Sequence, residues 1–242
     1  MHVSDDIRVG PVSLPNADTD NPSPMSLGVG PLGRVYVFDV VPLTLQTNGL
    51  STTATPGAAG NLTLTAGTGV TARTRSDGTT EYVLDTPRCV TVAAAGANAA
   101  TFTIYGYDQY GQSMSQLIAA PSTSTVATTK AFKTVTRIAI SAAAGSAITA
   151  GFNDKLGLPL RVTDVGYVIS AKWDATLADN AGTFVAADTT SPATTSTTDV
   201  RGCYTPSSAA NGTKRLVMAI ALPALAVGPN ATRIGAAGVD QV

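Results

Sequence analysis

Charged side chains are scarce in this sequence, and glutamate is almost absent. Charged residues make up 13% of the 242 residues, against ~25% in an ordinary globular domain. Glu81 is the only glutamate, and aspartate supplies the other acidic groups. Because glutamate and lysine are favoured on solvated helix faces, this scarcity argues against many long surface helices.

The sequence also lacks an excess of basic charge and a long hydrophobic run. The formal net charge is −1, so we expect no nucleic-acid partner. The longest apolar run, 216–227, has 12 residues and contains Pro223, which makes it too short to span a bilayer. Residues 1–10 carry no basic segment followed by an apolar core, so no signal peptide is predicted. We expect no membrane partner and synthesis in the cytoplasm.

Residues for catalysis or metal binding are nearly missing. His2 is the only histidine, which argues against a Ser-His-Asp site, and the scattered Cys89 and Cys203 do not form a zinc motif. The G-x-G-x-x-G match at 28–33 precedes a predicted strand rather than a helix, which argues against a dinucleotide site. We therefore expect no enzyme activity, no catalytic residue, no cofactor and no metal. The cysteines are interpreted as two buried thiols, with a disulfide as the open alternative.

The plainest pattern present is strand, turn, strand over residues 99–118. Phe102 and Ile104 alternate with threonine and Tyr105, which places like side chains on one face of a strand. Residues 108–111 supply a turn, in which Gly111 is expected to adopt a positive φ. Residues 113–117 form the predicted returning strand.

Similar patterns recur along the chain and predict an all-β fold, with a β-sandwich or jelly-roll-like core. An extended N-terminal arm is expected over 1–33, the β domain over 34–227 and an irregular C-terminal tail over 228–242. A loop is predicted at 51–60. The predicted strands include residues 34–41, 70–75, 79–84, 88–94, 101–105, 113–117, 132–141, 148–152, 165–173, 183–187, 200–204 and 215–222.

Partner-binding residues are predicted in two places. The arm contains five prolines and no apolar period, so it is either a loose tail or a segment that orders against a partner. Tyrosines 105, 107 and 110 form a binding patch or, alternatively, pack the hairpin onto its own sheet. The candidate residues are Ile7, Val9, Val12, Leu14, Met25, Leu27, Tyr105, Tyr107 and Tyr110.

Four segments resemble structural proteins of tailed bacteriophage virions. They read TFTIYGYDQYGQSMSQLI, KAFKTVTRIAIS, LGLPLRV and DVRGCYTPSSAANGTKRLVMAI, and lie within residues 101–162 and 199–220. Gly106, Asp108 and Gly111 match the turn of such proteins, and residues 130–135 match the element K-A-F-K-x-V. The chain is similar to head decoration, or cement, proteins of short-tailed phages.

This resemblance implies a non-enzymatic virion protein on the capsid surface. The implied partners are the major capsid protein, bound across its subunits from outside, and further copies of this chain. A homotrimer is expected because capsid lattices offer many local three-fold positions, with a dimer as the alternative. A receptor- or carbohydrate-binding module of a phage tail or fibre is the alternative function.

Overall fold

The structure is a computed structural model that describes residues 34–175, 182–188, 198–222 and 241–242. Strands account for 55% of these residues, and no α-helix is found among them, which confirms the predicted all-β fold. A short 3₁₀-helix covers Val165–Tyr167. The predicted arm, 1–33, lies outside the described residues, as do residues 228–240 of the predicted tail. The strands are β1 (Arg34–Val40), β2 (Gln46–Ala54), β3 (Gly60–Asn61), β4 (Val70–Thr74), β5 (Thr80–Ala94), β6 (Phe102–Tyr107), β7 (Ser113–Ile118), β8 (Thr125–Ile140), β9 (Ile148–Gly157), β10 (Val168–Trp173), β11 (Gly182–Val185), β12 (Cys203–Pro206) and β13 (Leu216–Leu222).

The larger sheet contains ten antiparallel strands. Its central path runs β11-β12-β9-β5-β8-β6-β7, while β2 pairs with β9, β3 with β8 and β4 with β5. The long strands β5 and β8 lie in the middle of this path, and the sheets curl into a half-barrel or sandwich-like core. The interior is filled by large apolar side chains that are almost completely buried. They include Leu50, Leu84, Phe102, Ile104, Phe132, Ile138, Ile148 and Phe152.

The smaller sheet has three strands in the order β1-β13-β10. Its apolar side chains form a second buried cluster with residues from one end of the larger sheet. Trp173, Leu216 and Met218 come from the smaller sheet, and Leu156 and Tyr204 from β9 and β12. The two sheets therefore pack together through this second cluster.

Several predicted boundaries were wrong where strand pairing overrides the local sequence. The two strands predicted over 79–84 and 88–94 are one strand, β5, which continues through Pro87 with an irregular register between Val83 and Arg88. Proline has no N–H to donate, so the register shift lies where the ladder cannot be regular. Residues 51–54 belong to β2 rather than to the predicted loop, because β9 supplies their backbone partners.

Candidate functional site

The hairpin of β6 and β7 places two of the predicted tyrosines on one face. Along β6, Phe102 and Ile104 are buried, whereas Tyr105 and Tyr107 are half-buried and point to the opposite side. This follows from the two-residue period of a strand, with the larger apolar set facing the core. In the ladder, Tyr105 lies opposite Ser115 of β7. The predicted strand alternation is confirmed here.

The turn between these strands is organised by Asp108. Its Oδ1 accepts hydrogen bonds from the backbone N–H groups of Tyr110 (2.8 Å) and Gln112 (2.9 Å). The N–H of Gly111 donates to the carbonyl of Asp108 at 3.2 Å. Gly111 has φ +81°, as predicted, and glycine adopts this conformation without the steric cost of a Cβ.

An arginine stacks on each of the two tyrosines of β6. The Arg137 guanidinium, from β8, lies 3.9 Å from the ring centroid of Tyr105. The Arg75 guanidinium, from the β4–β5 turn, lies 4.8 Å from that of Tyr107. Both separations are within the range for cation–π attraction. The rings are thus held between their own sheet and two cationic groups.

The third tyrosine faces another part of the molecule. Tyr110 is 61% exposed, yet its hydroxyl donates to the carbonyl of Pro159 at 2.7 Å. Its ring lies 5.0 Å from the Arg201 guanidinium. The Tyr110 hydroxyl therefore joins the turn to the residues that follow β9.

Tyr105 and Tyr107 line an open groove of about 430 Å³. Gly106 lies between them in β6 and also borders the groove. Val242, 67% exposed, borders the same groove. The lining combines aromatic faces, a cation and hydroxyl groups, which can bind a partner by stacking and hydrogen bonds. The remaining lining residues are Thr79, Ser113, Met114, Ser115, Thr136 and Arg137.

A buried polar network holds the β6–β7 turn next to the groove. Arg201 Nη2 donates to Asp108 Oδ2 at 2.7 Å, and both side chains are almost completely buried. Gln241 Nε2 donates to the same Oδ2 at 3.1 Å and to Gln112 Oε1 at 3.0 Å. Lys130 Nζ donates to the carbonyl of Gln241 at 2.5 Å. No sequence pattern predicted these contacts of Gln241, because it lies in a segment predicted to be irregular.

Asp199 adds a second buried carboxylate near Arg201. Burial raises the pKa of Asp199, although hydrogen bonds from the backbone N–H groups of Ala131 and Arg201, both 2.9 Å, favour its charged form. The positive charge of Arg201 also lowers this pKa, whereas the negative charge of Asp108 raises it. The network joins the hairpin to β8 and to the start of β12.

A further buried charge is that of Arg88, in β5. Arg88 is fully buried, and its guanidinium donates to both carboxylate oxygens of Asp85 at 2.8 and 2.6 Å. It also donates to Asp154 Oδ1 at 3.2 Å and to the carbonyl of Leu43 at 2.6 Å. An open groove of about 550 Å³ lies beside it, lined in part by Asp85 and Lys133. These contacts join β5 to β9 and to the β1–β2 connection.

The half-buried Lys133 on this second groove is held by backbone oxygens. Its Nζ donates to the carbonyls of Leu84 at 2.6 Å and Asp85 at 2.9 Å. Burial lowers the pKa of Lys133, while the nearby negative charge of Asp85 raises it. Lys133 thereby ties β8 to the middle of β5.

The other predicted site residues cannot be placed, because the arm lies outside the described ranges. They are Ile7, Val9, Val12, Leu14, Met25 and Leu27.

In the ranges given above, no group of three or more histidine, cysteine, aspartate or glutamate residues could hold a metal ion. In those same ranges, no helix has both the length and the apolar character needed to cross a membrane.

No protein-family model matches the chain, and no curated protein or solved structure is significantly similar to it.

Proposed function

We propose that the chain is a non-enzymatic structural protein of a phage virion that decorates the capsid surface and cements it by binding across major capsid subunits. The observation that carries this proposal is the outer face of the β6–β7 hairpin, where Tyr105 and Tyr107 each stack with an arginine beside an open groove. Tyrosine and arginine are the side chains that most often dominate the binding energy of protein interfaces. The same hairpin carries the resemblance to phage decoration proteins.

The buried hydrogen bonds to the hairpin turn are consistent with an attachment role. The bonds from Arg201 and Gln241 to Asp108 hold the turn before a partner arrives, so little side-chain freedom is lost on binding. A homotrimer, or alternatively a dimer, would present several such faces at once. Linked contacts of modest strength then give strong attachment to one capsid.

Cosedimentation with expanded phage capsids that lack decoration tests the proposal. We expect the purified protein to sediment with them in stoichiometric amounts, and the double variant Tyr105→Ala, Tyr107→Ala to bind at least about tenfold more weakly. Tyr36→Ala is the matched control, because Tyr36 is an exposed tyrosine on the smaller sheet. Equal binding by the folded double variant would overturn the role of the hairpin.

A receptor- or carbohydrate-binding module of the tail is the second candidate. The lining of the groove favours it, since aromatic rings lie beside the hydroxyls of Ser113, Ser115 and Thr136. Such a lining suits a sugar ring, which stacks through its C–H faces and exchanges hydrogen bonds at its edge. Binding to isolated host surface glycans, lost in the same double variant, together with no binding to capsids, would establish this alternative.

A further inference from the structure

The two cysteines of the chain lie side by side in the interior, although 114 positions separate them. Cys89 is in β5, and Cys203 is the first residue of β12. Both are free thiols with no exposed surface. Their Sγ atoms approach the same acceptor, the carbonyl oxygen of Thr129, at 3.6 and 3.8 Å. The two thiols are thus held against one point of β8.

Small residues around the thiols make this approach possible. Cys89 lies opposite Ala131 in the β5–β8 ladder, and these two residues form one buried cluster with Cys203. Gly157 lies opposite Cys203 in the β12–β9 ladder. A Cβ on Gly157 would stand 2.5 Å from the Cβ of Ala131, so only glycine leaves this space open. Cys203 of β12 and Cys89 of β5 therefore lie in one buried cluster, although β9 separates their strands in the sheet.

The two sulfurs differ in reactivity and in access. A hydrogen bond between the thiols raises the pKa of Cys89, with burial acting in the same direction, and lowers the pKa of Cys203. The thiolate is the form that attacks a disulfide. β12 has four residues and pairs with β9 only at Cys203 and Tyr204, whereas β5 lies in the middle of the sheet. Local opening therefore exposes Cys203 more readily than Cys89.

We propose that Cys89 and Cys203 are an oxidation site, at which a low-molecular-weight disulfide such as oxidised glutathione converts the two thiols into one intramolecular disulfide. The Cys203 thiolate attacks a glutathione sulfur, which forms a mixed disulfide and expels one glutathione thiolate. The Cys89 thiolate then attacks the Cys203 sulfur and expels the second glutathione. The two cysteine thiols lose two electrons to glutathione disulfide, and their protons pass through solvent to the two glutathione thiolates.

The new bond would tie the short strand β12 to the centre of the larger sheet and close a long loop of the chain. Such a bond restricts the unfolded chain more than the folded one. The site stands independently of the proposed virion role. If that role holds, the thiols stay reduced in the cytoplasm and meet oxidising conditions after release of the virion.

The test uses the full-length chain. One sample is kept native and a second is refolded, both with oxidised glutathione. The free thiols are then counted by alkylation of the denatured chain. In at least one sample, we expect neither cysteine to be alkylated. The mass should fall by two hydrogen atoms, and a cross-linked peptide pair containing residues 89 and 203 should separate on reduction. The oxidised chain should unfold at a higher urea concentration than the reduced chain.

The single variants Cys89→Ala and Cys203→Ala are the controls. Neither can form the internal bond, so the oxidant should leave the urea midpoint of each unchanged. The mass measurement on the unsubstituted chain does not depend on whether these variants fold. Two titratable thiols in both samples, or two separate glutathione adducts, would overturn the proposal. That result would leave the capsid-binding proposal untouched, since binding is measured separately.

Discussion

At the scale of single residues, Asp108 connects the most distant parts of the chain. Sequence alone identified it as a turn residue, and its bonds to the N–H groups of Tyr110 and Gln112 confirm that local role. Its buried partners Arg201 and Gln241 lie 93 and 133 positions away, and no local pattern predicts such pairs. Local hydrogen bonding could be predicted, whereas the burial of this charge could not.

Replacing Asp108 should therefore cost much more than the loss of a surface turn residue. In Asp108→Ala, the Arg201 guanidinium stays buried without its carboxylate, and we expect a loss of about 3–5 kcal/mol in the free energy of unfolding. Urea denaturation measures this loss. Asp77→Ala is the control, because Asp77 makes a similar bond to the N–H of Thr79 in an exposed turn. Similar losses in both variants would contradict the importance of the buried pair.

Tyr204 gives a prediction for alkaline pH. Burial raises the pKa of this phenol from 10.0 to about 12, and its hydroxyl has no hydrogen-bond partner in the described part of the chain. The folded state therefore holds the phenolic proton more tightly than the unfolded state. Its contribution to stability is complete below pH 10 and is lost as the pH rises towards 12.

Tyr204→Phe should remove this alkaline loss and change stability little at neutral pH. Urea unfolding at several pH values between neutrality and pH 11 measures the difference from the unsubstituted chain. Tyr82→Phe is the matched control, because the Tyr82 hydroxyl donates to the carbonyl of Leu64 at 2.9 Å. Its loss should cost about 1 kcal/mol at neutral pH. A parallel pH dependence in the Tyr204 variant and the unsubstituted chain would contradict the assignment.

At the scale of elements, hairpins were predictable and the pairing of distant strands was not. Alternating side chains and turn glycines correctly located β4 with the start of β5, and β6 with β7. The same reasoning missed most of β2, whose small polar residues become a strand only because β9 pairs with them. It predicted the tyrosines as a site, but their arginine partners come from other elements that only the fold brings close.

Gly106 provides the test at this scale. A Cβ there would overlap the carbonyl of Thr134 on β8, at an irregular step in the β6–β8 register. Gly106→Ala should therefore push the hairpin away from β8 and cost about 3 kcal/mol or more. Gly60→Ala is the control, since nothing lies within 4 Å of its added Cβ. Equal thermal stability of the two variants would contradict the close approach.

At the scale of the whole molecule, the two large buried clusters of the described residues lie between Phe38 and Ile220. We therefore expect deletion of residues 1–30 to leave the β core folded. The same deletion should weaken attachment to capsids at least about tenfold, because each buried apolar anchor of the arm adds roughly 1.5–3 kcal/mol before its ordering cost. A thermal melt and a capsid cosedimentation titration measure the two effects.

A full-length chain with Ile7, Val9, Val12 and Leu14 changed to serine is the matched variant, since it keeps the length of the arm. It should bind capsids as weakly as the truncated chain. Equal capsid affinity of all three proteins would remove the arm from the attachment mechanism. Unfolding of the truncated chain would instead move the domain boundary towards the N-terminus.

The pairing of β1 with β13 also sets the order of events during synthesis. Arg34 lies opposite Leu222, so β1 must wait for the synthesis of β13, more than 180 residues later, before it can pair with it. At ribosomal speeds this delay lasts roughly 10–40 s. During that time the unpaired backbone of β1 and the side chains of Phe38 and Val40, which pack against the second cluster in the finished fold, remain available to other nascent chains. Translation rate and chaperone supply should therefore govern the soluble yield more than the stability of the finished fold.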